Sequence, residues 1–168
     1  MTTSFDQYVV ARGPALLRFA FLLVRDHHLA EDLVQEALVR SHRRWRVIER
    51  EDPDAYVRRV VLNQFLSWRR RRSFWERPVS TIGDDAGLVG PDPATAIVDR
   101  HSMQDMLQCL SRQQRAVIVL RFYEDLDDAM IGALLDCSPT TVRVHLSKAM
   151  ARLRAATRTG VAMNGERL

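Results

Sequence analysis

Residues 137–148, CSPTTVRVHLSK, constrain the fold of this chain more than any other stretch, because they specify where a helix begins. The hydroxyl of Ser138 can accept a hydrogen bond from an unpaired backbone N–H of the first turn, and Pro139 suits the first helical position. Beyond them, polar and basic residues occupy one side of the helix, and apolar residues recur at helical spacing on the other. The apolar set is Val142, Leu146, Met150 and Leu153. One side of this helix is therefore predicted to pack and the other to face outward.

A shorter helical pattern over residues 127–135 precedes this helix, and only Asp136 and Cys137 separate the two. Two helices joined by so tight a turn predict a helix-turn-helix, whose second helix presents its N-terminal residues to the major groove of DNA. An ordinary helical hairpin with a solvated polar face would give the same pattern. The basic, threonine-rich leading edge favours DNA binding.

The distribution of charge along the 168 residues points to a polyanionic partner. Residues 1–77 contain 15 Lys and Arg against 10 Asp and Glu, residues 78–99 contain none against 4, and residues 100–168 contain 10 against 7. Two basic regions therefore flank an acidic connector, a distribution that suits a polyanionic partner. A hydrophobic share of 46% excludes a wholly disordered chain.

Residues 78–96 are rich in Gly and Pro and contain no Lys or Arg, which predicts a flexible acidic linker. Helical periodicity on both sides predicts an all-α fold of two small helical domains, residues 1–77 and 97–158, followed by a frayed tail over 159–168. Gly13 and Pro14 are expected to interrupt the first helix. Asp54 is expected to cap the helix that follows Pro53.

Four arginines, residues 69–72, end the helix that begins near Asp54. Arginines in a last turn complement the helix dipole, but four in succession exceed that need. Aromatic residues lie among these and neighbouring arginines, a mixture that suits single-stranded nucleic acid. The aromatic residues are Tyr56, Trp68, Phe74 and Trp75. Core aromatics beside a solvated helix end are the alternative interpretation.

Asp32, Gln35 and Glu36 form an acidic patch on one face of a predicted helix. A solvated helix face is the ordinary explanation for such a patch. Since DNA would repel it, the alternative function is docking to a protein.

Other classes of function find little support in the sequence. The five histidines are scattered, and no glycine-rich phosphate loop, nucleophile elbow or zincin motif occurs, so an enzyme is disfavoured. Cys109 and Cys137 are isolated, which favours reduced thiols over a disulfide or a zinc site. The N-terminus lacks the basic segment followed by an apolar segment that a signal peptide has. No apolar stretch is expected to approach the roughly 20 residues that are needed to span a membrane. A cytoplasmic protein is therefore expected.

Two ordered stretches resemble one known family. AEDLVQEALVRSHRRW, followed by DPDAYVRRVVLNQFLSWRRRR, is similar to the promoter-melting domain of extracytoplasmic-function (ECF) RNA polymerase sigma factors of the sigma-70 superfamily. LSRQQRAVIVLRFYEDLDDAMIGALLDCSPTTVRVHLSKAMARLR is similar to their C-terminal promoter-reading domain. The helix YVRRVVLNQFLSW most resembles the actinobacterial SigE-like branch.

This resemblance implies a transcription initiation factor that needs no cofactor of its own. Its partners would be core RNA polymerase, contacted at the β′ clamp helices and the β flap, and promoter DNA, double-stranded at the −35 element and single-stranded at the −10 element. An anti-sigma factor is also implied, and membrane insertion is not. Asp32, Gln35 and Glu36 occupy the positions at which the family docks on the clamp helices.

The resemblance also assigns residues to the two promoter elements. Arg143, Val144 and Ser147 would face −35 bases, and the residues nearer phosphate or at the leading edge would be Thr140, Thr141, His145, Lys148 and Arg152. Residues 48–54 would form the loop that captures a base flipped from the −10 element. The whole −10 set is Ile48, Asp52, Asp54, Tyr56, Arg58, Arg59, Asn63, Arg69, Arg70, Arg71 and Arg72.

Some positions depart from the family pattern. Many relatives have a small polar residue in place of Val144, a basic residue in place of His145 and Gly in place of Asp136. Val144 can contact a thymine methyl group but cannot donate a hydrogen bond, so an altered base preference is expected.

Two other classes of protein remain as alternatives from the sequence. One is a stand-alone helix-turn-helix regulator that dimerises on operator DNA without polymerase. The other is a catalytic or RNA-binding helical protein, for which no site is evident.

Overall fold

A computed structural model describes the backbone of residues 4–72 and 106–165, and the side chains of residues 4–67 and 106–158. The proposed linker at 78–96, the side chains of Trp68 and Arg69–Arg72, and Phe74 and Trp75 lie outside the described residues. Within these ranges the regular structure is entirely helical, as predicted. The helices are α1 (Phe5–Val24), α2 (His27–His42), α3 (Trp45–Ile48), α4 (Pro53–Arg72), α5 (Arg112–Phe122), α6 (Asp128–Leu135) and α7 (Pro139–Gly165).

The first helix is continuous, so the predicted interruption at Gly13 and Pro14 is wrong. Proline inside a helix removes one backbone hydrogen bond and costs about 3 kcal/mol in an isolated helix. Here Pro14 lies on the exposed side of α1, where the lost bond faces water. Ser4 and Gln7 form a capping box at the start of α1, and Phe19 is buried on the side that faces the core. The cap and the buried side together stabilise the continuous helix.

The following helices are delimited by side-chain caps. Asp26 caps α2 by accepting a hydrogen bond from the Leu29 N–H at 2.9 Å. Asp52, not Asp54, caps α4, because its Oδ1 accepts from the Ala55 N–H at 3.0 Å. The cap lies one residue before Pro53, which occupies the first helical position. Asp54 therefore lies inside the first turn, where its carboxylate is available for tertiary contacts.

The C-terminal half follows the sequence prediction closely until its end. Ser111 begins α5 with a capping box, Asp127 caps α6, and Ser138 precedes α7. The helix α7 then continues to Gly165, and the fraying of residues 159–168 stays a prediction.

The two halves pack against each other around one hydrophobic core. Helix α1 contacts both α4 and α5, and α4 also contacts α5. The N-terminal half contributes buried residues such as Leu16, Phe19, Val57, Val61 and Phe65, and the C-terminal half contributes Val117, Leu120, Ile131 and Val142. Burial of this apolar surface favours the packed arrangement of the halves.

Helix α1 alone among the described helices has the length and mean hydropathy that a membrane span would need. The sequence-based judgement that no stretch approaches this length was therefore wrong. Its apolar character has a local explanation, because Leu16, Phe19, Ala20 and Leu23 are at most 2% exposed inside the protein core.

Candidate nucleic-acid interface

The turn between α6 and α7 brings the two helices close together. Asp136 adopts a left-handed conformation with φ 55°, and the Cys137 N–H donates to the Gly132 carbonyl at 2.9 Å. A Cβ at Gly132 would lie 2.6 Å from the Cys137 carbonyl oxygen, so only glycine fits there. Glycine would adopt this left-handed conformation without the strain that a side chain brings to it. This turn gives the two helices a helix-turn-helix arrangement.

The outer face of α7 is exposed at its N-terminal end. The hydroxyl of Ser138 accepts a hydrogen bond from the Thr141 N–H at 3.1 Å, which confirms the predicted cap. Val142 and Ala149 are fully buried on the inner face. The exposed residues of the outer face are Thr140, Arg143, Val144, Ser147 and Lys148. These side chains are free to approach a ligand from the N-terminal end of the helix.

Among the exposed residues of α7, Arg143 and Lys148 make no ion pair with any described carboxylate. The Arg143 Nη2 atom donates only a long hydrogen bond, 3.4 Å, to the Thr140 hydroxyl on the preceding turn. Val144 is 46% exposed although it is apolar. The leading edge of α7 therefore presents the cations Arg143 and Lys148 and the apolar side chain of Val144 to solvent.

Three other predicted residues of α7 have different surroundings. Thr141 and His145 are half-buried and line a cavity of about 130 Å³ that also reaches Leu66 of α4. Arg152 donates to the Gln114 Oε1 atom at 2.9 Å and so joins α7 to the start of α5. Thr141 and His145 therefore face α4 in this arrangement of the halves, whereas Arg152 is exposed and bonded within the C-terminal half.

A network of charges connects the first turns of α4 to α1 and to the C-terminal half. The Asp54 carboxylate accepts hydrogen bonds from the Tyr8 hydroxyl at 3.0 Å and from Arg12 Nε at 2.9 Å, and it forms an ion pair with Arg58. Arg58 also forms an ion pair with Glu124, which follows α5. Arg58 therefore bridges the two halves of the protein.

Burial and charge shift the pKa values of this network in different directions. Burial alone raises the pKa of Asp54, but the hydrogen bonds and charges of Arg12 and Arg58, with the hydrogen bond from Tyr8, outweigh it and hold that pKa below its ordinary value. Burial raises the pKa of Glu124, and the attraction of Arg58 only partly offsets this. Burial and the nearby Asp54 charge also raise the pKa of Tyr8. The network is thus a partly desolvated set of charges, in which pairing matters more than at the surface.

The remaining residues predicted for the −10 element separate into exposed and occupied groups. Tyr56 is half-buried, whereas Arg59 and Asn63 are exposed, and their spacing puts all three on one face of α4. Ile48 is 4% exposed and belongs to the protein interior. Asp52 is exposed and engaged as the cap of α4.

The acidic patch lies on α2, as predicted. Asp32 and Gln35 are exposed, and Glu36 is half-buried and paired with Arg40 one turn further along. The described residues contain no group of three or more His, Cys, Asp or Glu side chains that could hold a metal ion.

Two residues that matter for this geometry were missed in the sequence. Gly132 stands in the middle of a short helix pattern, and an isolated glycine there was a usable signal of close backbone approach. Glu124 gave no signal, because its partner Arg58 is 66 residues away in the chain.

Comparisons with known proteins agree with this geometry. Residues 9–74 match the family described as Sigma-70 region 2, and residues 100–153 match the family described as Sigma-70, region 4. The RNA polymerase sigma-E factor of Streptomyces avermitilis is 40% identical over 151 residues, which cover 89% of this chain and 83% of that protein. The ECF RNA polymerase sigma factor SigL of Mycobacterium tuberculosis is 33% identical over 159 residues, covering 92% and 86% of the two chains.

Among solved structures, the sigma factor RpoE of Bartonella quintana, in complex with the anti-sigma factor NepR, superposes with a TM-score of 0.70. Its sequence is 24% identical, and the match covers 92% of this chain and 96% of that one, so it supports the fold alone.

An all-helical protein with these two regions in this order is a sigma-70 type initiation factor. The chain belongs to this family as an extracytoplasmic-function sigma factor of the actinobacterial SigE-like type. It directs RNA polymerase to promoters and is not a stand-alone regulator.

Proposed function

We propose that this sigma factor reads a −35 element with the leading edge of α7 and a −10 element with α4 and the loop before it. The observation that carries the proposal is the exposed N-terminal end of α7 behind a tight helix-turn-helix turn. A helix presented in this way can enter the major groove, where base edges carry a distinct pattern of donors and acceptors.

In the −35 element, Arg143, Val144 and Ser147 would contact bases. Arg143 can donate two hydrogen bonds to guanine, and Val144 can pack on a thymine methyl group. Lys148 would neutralise phosphate, with Thr140 at the leading edge. Thr141 and His145 would reach phosphates after the C-terminal half moves away from α4, since they line the cavity beside Leu66. Arg152 would reach a phosphate by giving up its hydrogen bond to Gln114 within the C-terminal half.

In the −10 element, the face of α4 with Tyr56, Arg59 and Asn63 would contact the displaced strand, beside the loop of Ile48, Asp52 and Asp54. Flipping a base out of the duplex costs a few kcal/mol, because its stacking and base-pairing contacts are lost. The protein must therefore offer new stacking and hydrogen-bonding contacts to the flipped base. Arg69, Arg70, Arg71 and Arg72 would continue the cationic path along the backbone. These contacts would promote opening of the duplex.

Arg58 has a special place in this proposal because it is already paired with Asp54 and Glu124. A DNA phosphate can take the place of Glu124 only when this ion pair is broken, as it would be if the two halves separated. Free protein would therefore bind single-stranded DNA without the help of Arg58, and the polymerase-bound, extended protein would bind with it.

Core polymerase would dock on α2 at Asp32, Gln35 and Glu36, through the β′ clamp helices, while the C-terminal half would contact the β flap. The exposed carboxylate of Asp32 and the family relationship support this assignment. An anti-sigma factor would cover the same surfaces, since the solved relative RpoE is bound to NepR. The protein would act in the cytoplasm, without enzymatic activity, cofactor or membrane insertion.

The direct test of the promoter proposal is in vitro transcription from a library of DNA fragments by core polymerase, with and without the protein. We expect initiation from a small set of fragments that share two spaced elements. Initiation that is no more frequent or selective with the protein than without it would contradict the proposal.

Reversing both charges in Asp32→Lys/Glu36→Lys tests the docking surface. Because the two carboxylates lie on the outer side of α2, we expect loss of core binding in a pull-down, with an unchanged thermal unfolding curve. Asp6→Lys/Glu31→Lys is the charge-matched control on exposed helix positions. Normal core binding by the Asp32→Lys/Glu36→Lys protein would rule out this surface.

A further inference from the structure

One side of α7 combines a histidine with two basic residues. Thr141, His145, Lys148 and Arg152 follow one another at intervals of four, three and four residues, which places them along one stripe of the helix. This α7 stripe is the set proposed above to lie near phosphate. Lysine and arginine side chains keep their charge in ordinary buffers, whereas a histidine side chain gains or loses its charge between about pH 5 and 8. The net charge of the α7 stripe therefore varies with the protonation of His145.

The α7 stripe has no acidic residue on its own helix to neutralise it, because α7 contains no Asp or Glu from Pro139 to Gly165. The His145 ring makes no hydrogen bond or ion pair with any described residue, and neither does the Lys148 ammonium group. These two side chains are three residues apart and are therefore neighbours on the helix surface. An anion that reached this part of α7 could contact both of them without displacing a described partner.

The helices packed around His145 contribute no described charge to the cavity of about 130 Å³ that it lines. Leu66 of α4 and Leu135 of α6 are apolar, and Gln113 of α5 is neutral. The side chains of Arg69–Arg72, which follow on α4, lie outside the described residues. Within the part of the chain that the structure describes, these three helices therefore do not fix the charge of His145.

The turn before α7 contributes the two titratable neighbours of His145 at this cavity, Asp136 and Cys137. Asp136 is exposed, and its carboxylate favours a protonated imidazole nearby. Burial, and to a smaller extent the charge of Asp136, raises the pKa of the Cys137 thiol above its ordinary value, so this thiol stays neutral in neutral and weakly acidic buffers. A change of charge at this cavity in such buffers is therefore a change at His145.

From this arrangement we propose that His145 takes up a proton when α7 binds the −35 element, so that promoter binding tightens as the pH falls. The protonated imidazole donates a charge-assisted hydrogen bond to a phosphate oxygen beside Lys148. The neutral ring can still donate from one nitrogen, but it adds no charge. Because phosphate stabilises the protonated form, linkage requires that a lower pH strengthens binding. This inference rests on the −35 function proposed for α7.

The test measures binding of the complex of this protein with core polymerase to a fluorescent promoter fragment recovered in the transcription experiment. From about pH 8 to about pH 6 we expect the affinity to rise severalfold, below the limit of about tenfold per pH unit that uptake of one proton sets. The slope of log affinity against log salt should be steeper at the lower pH by up to about 0.9, because one more duplex phosphate is neutralised.

Two variants of His145 and one control assign the proton to its residue. His145→Arg should bind tightly with the steep salt slope at both pH values, because its charge is permanent. His145→Gln should bind weakly with the shallow salt slope at both pH values, because it has no charge to gain. His28→Gln changes a histidine on α2 whose side chain is exposed, and it should retain the pH dependence of wild type. Thermal unfolding of each variant checks that the fold is intact.

Retention of the wild-type pH dependence in His145→Gln would overturn this inference. A pH dependence that His145→Gln abolishes, but with a wild-type salt slope that is equal at both pH values, would also overturn it. The proton would then act at the contact with α4 and not at a phosphate. In either case the −35 proposal stands if Lys148→Ala still lowers the salt slope. Binding of the fragment that is no tighter than by core polymerase alone would contradict the promoter proposal and this inference with it.

Discussion

The two surfaces proposed to bind promoter DNA differ in how far their charges are already paired within the protein. On α7, Arg143 and Lys148 are exposed and have no described carboxylate partner. On α4, Arg58 is partly buried and paired with both Asp54 and Glu124. The −35 surface can therefore bind DNA by adding contacts, whereas the −10 surface must exchange an internal partner for a phosphate. The difference indicates that separation of the two halves would alter −10 binding more than −35 binding.

The largest expected effect comes from breaking the turn that presents α7. In Gly132→Ala, the new Cβ would lie 2.6 Å from the Cys137 carbonyl oxygen, so the backbone of the turn must shift. We expect the free energy of unfolding to fall by about 2–3 kcal/mol, as for other overpacked sites. Urea unfolding followed by circular dichroism measures the change.

Gly13→Ala is the matched control for this substitution. A Cβ at Gly13 meets nothing within 4 Å. Alanine favours a helix over glycine, but the following Pro14 disfavours a Cβ at this position, so a change within about 0.5 kcal/mol is expected. Equal destabilisation by the two variants would show that the turn has no special packing constraint.

Removing the Arg143 side chain should weaken −35 recognition by about 1–3 kcal/mol and relax preference at one base pair. The measurement is selection from a library randomised in the −35 region, with core polymerase present. Lys148→Ala is the comparison, because a phosphate contact is lost equally on every sequence and lowers the salt dependence by about 0.9. Uniform loss of affinity in Arg143→Ala would remove its role in reading bases.

Neutralising Glu124 should leave the −10 surface with a less fully paired arginine, as on the −35 surface. In Glu124→Gln, Arg58 loses its partner in the C-terminal half, so its guanidinium becomes available for phosphate. We expect free protein to bind single-stranded oligonucleotides severalfold more tightly, as measured by fluorescence anisotropy. Glu31→Gln, which neutralises an exposed carboxylate on α2, is the control. Equal affinity of the two variants for the oligonucleotide would mean that the ion pair with Glu124 does not keep Arg58 from binding phosphate.

The smallest expected effect is the pH dependence of the same network. The pKa of Glu124 is raised above its ordinary 4.5, so its contribution to stability is fully present below that value and is lost as the pH rises through the raised pKa. The pKa of Asp54 is lowered below 3.8, so its contribution is present above 3.8 and is lost as the pH falls through the lowered pKa. The two carboxylates therefore give stability curves of opposite slope.

Urea unfolding at several pH values checks these signs. The stability of wild type relative to Glu124→Gln should increase as the pH falls from neutral towards 4.5, and the stability relative to Asp54→Asn should decrease below 3.8. Parallel curves for both variants would contradict the opposite shifts.

Local features of the chain determined most of the helix boundaries. Ser138 begins a helix as predicted and Asp26 caps α2 in the same way, because a cap needs only a side-chain oxygen and a backbone N–H three residues away. The prediction failed where the cap moved from Asp54 to Asp52 and where Pro14 continued a helix. In both places the outcome depends on tertiary contacts of the helix. The Asp54 carboxylate accepts hydrogen bonds from Tyr8 and Arg12 of α1, and the buried face of α1 keeps that helix continuous through Pro14.

The sequence by itself therefore determined an all-helical protein with two regions of sigma-factor type and an exposed reading helix. Only the tertiary structure decided which charges are free. Arg58 and Glu124 are 66 residues apart, and the hydrogen bond that the Arg115 guanidinium donates to the Leu23 carbonyl spans 92 residues. The physical reason is that periodicity and caps act over three or four residues, whereas these pairs form only after the two halves bury a common core.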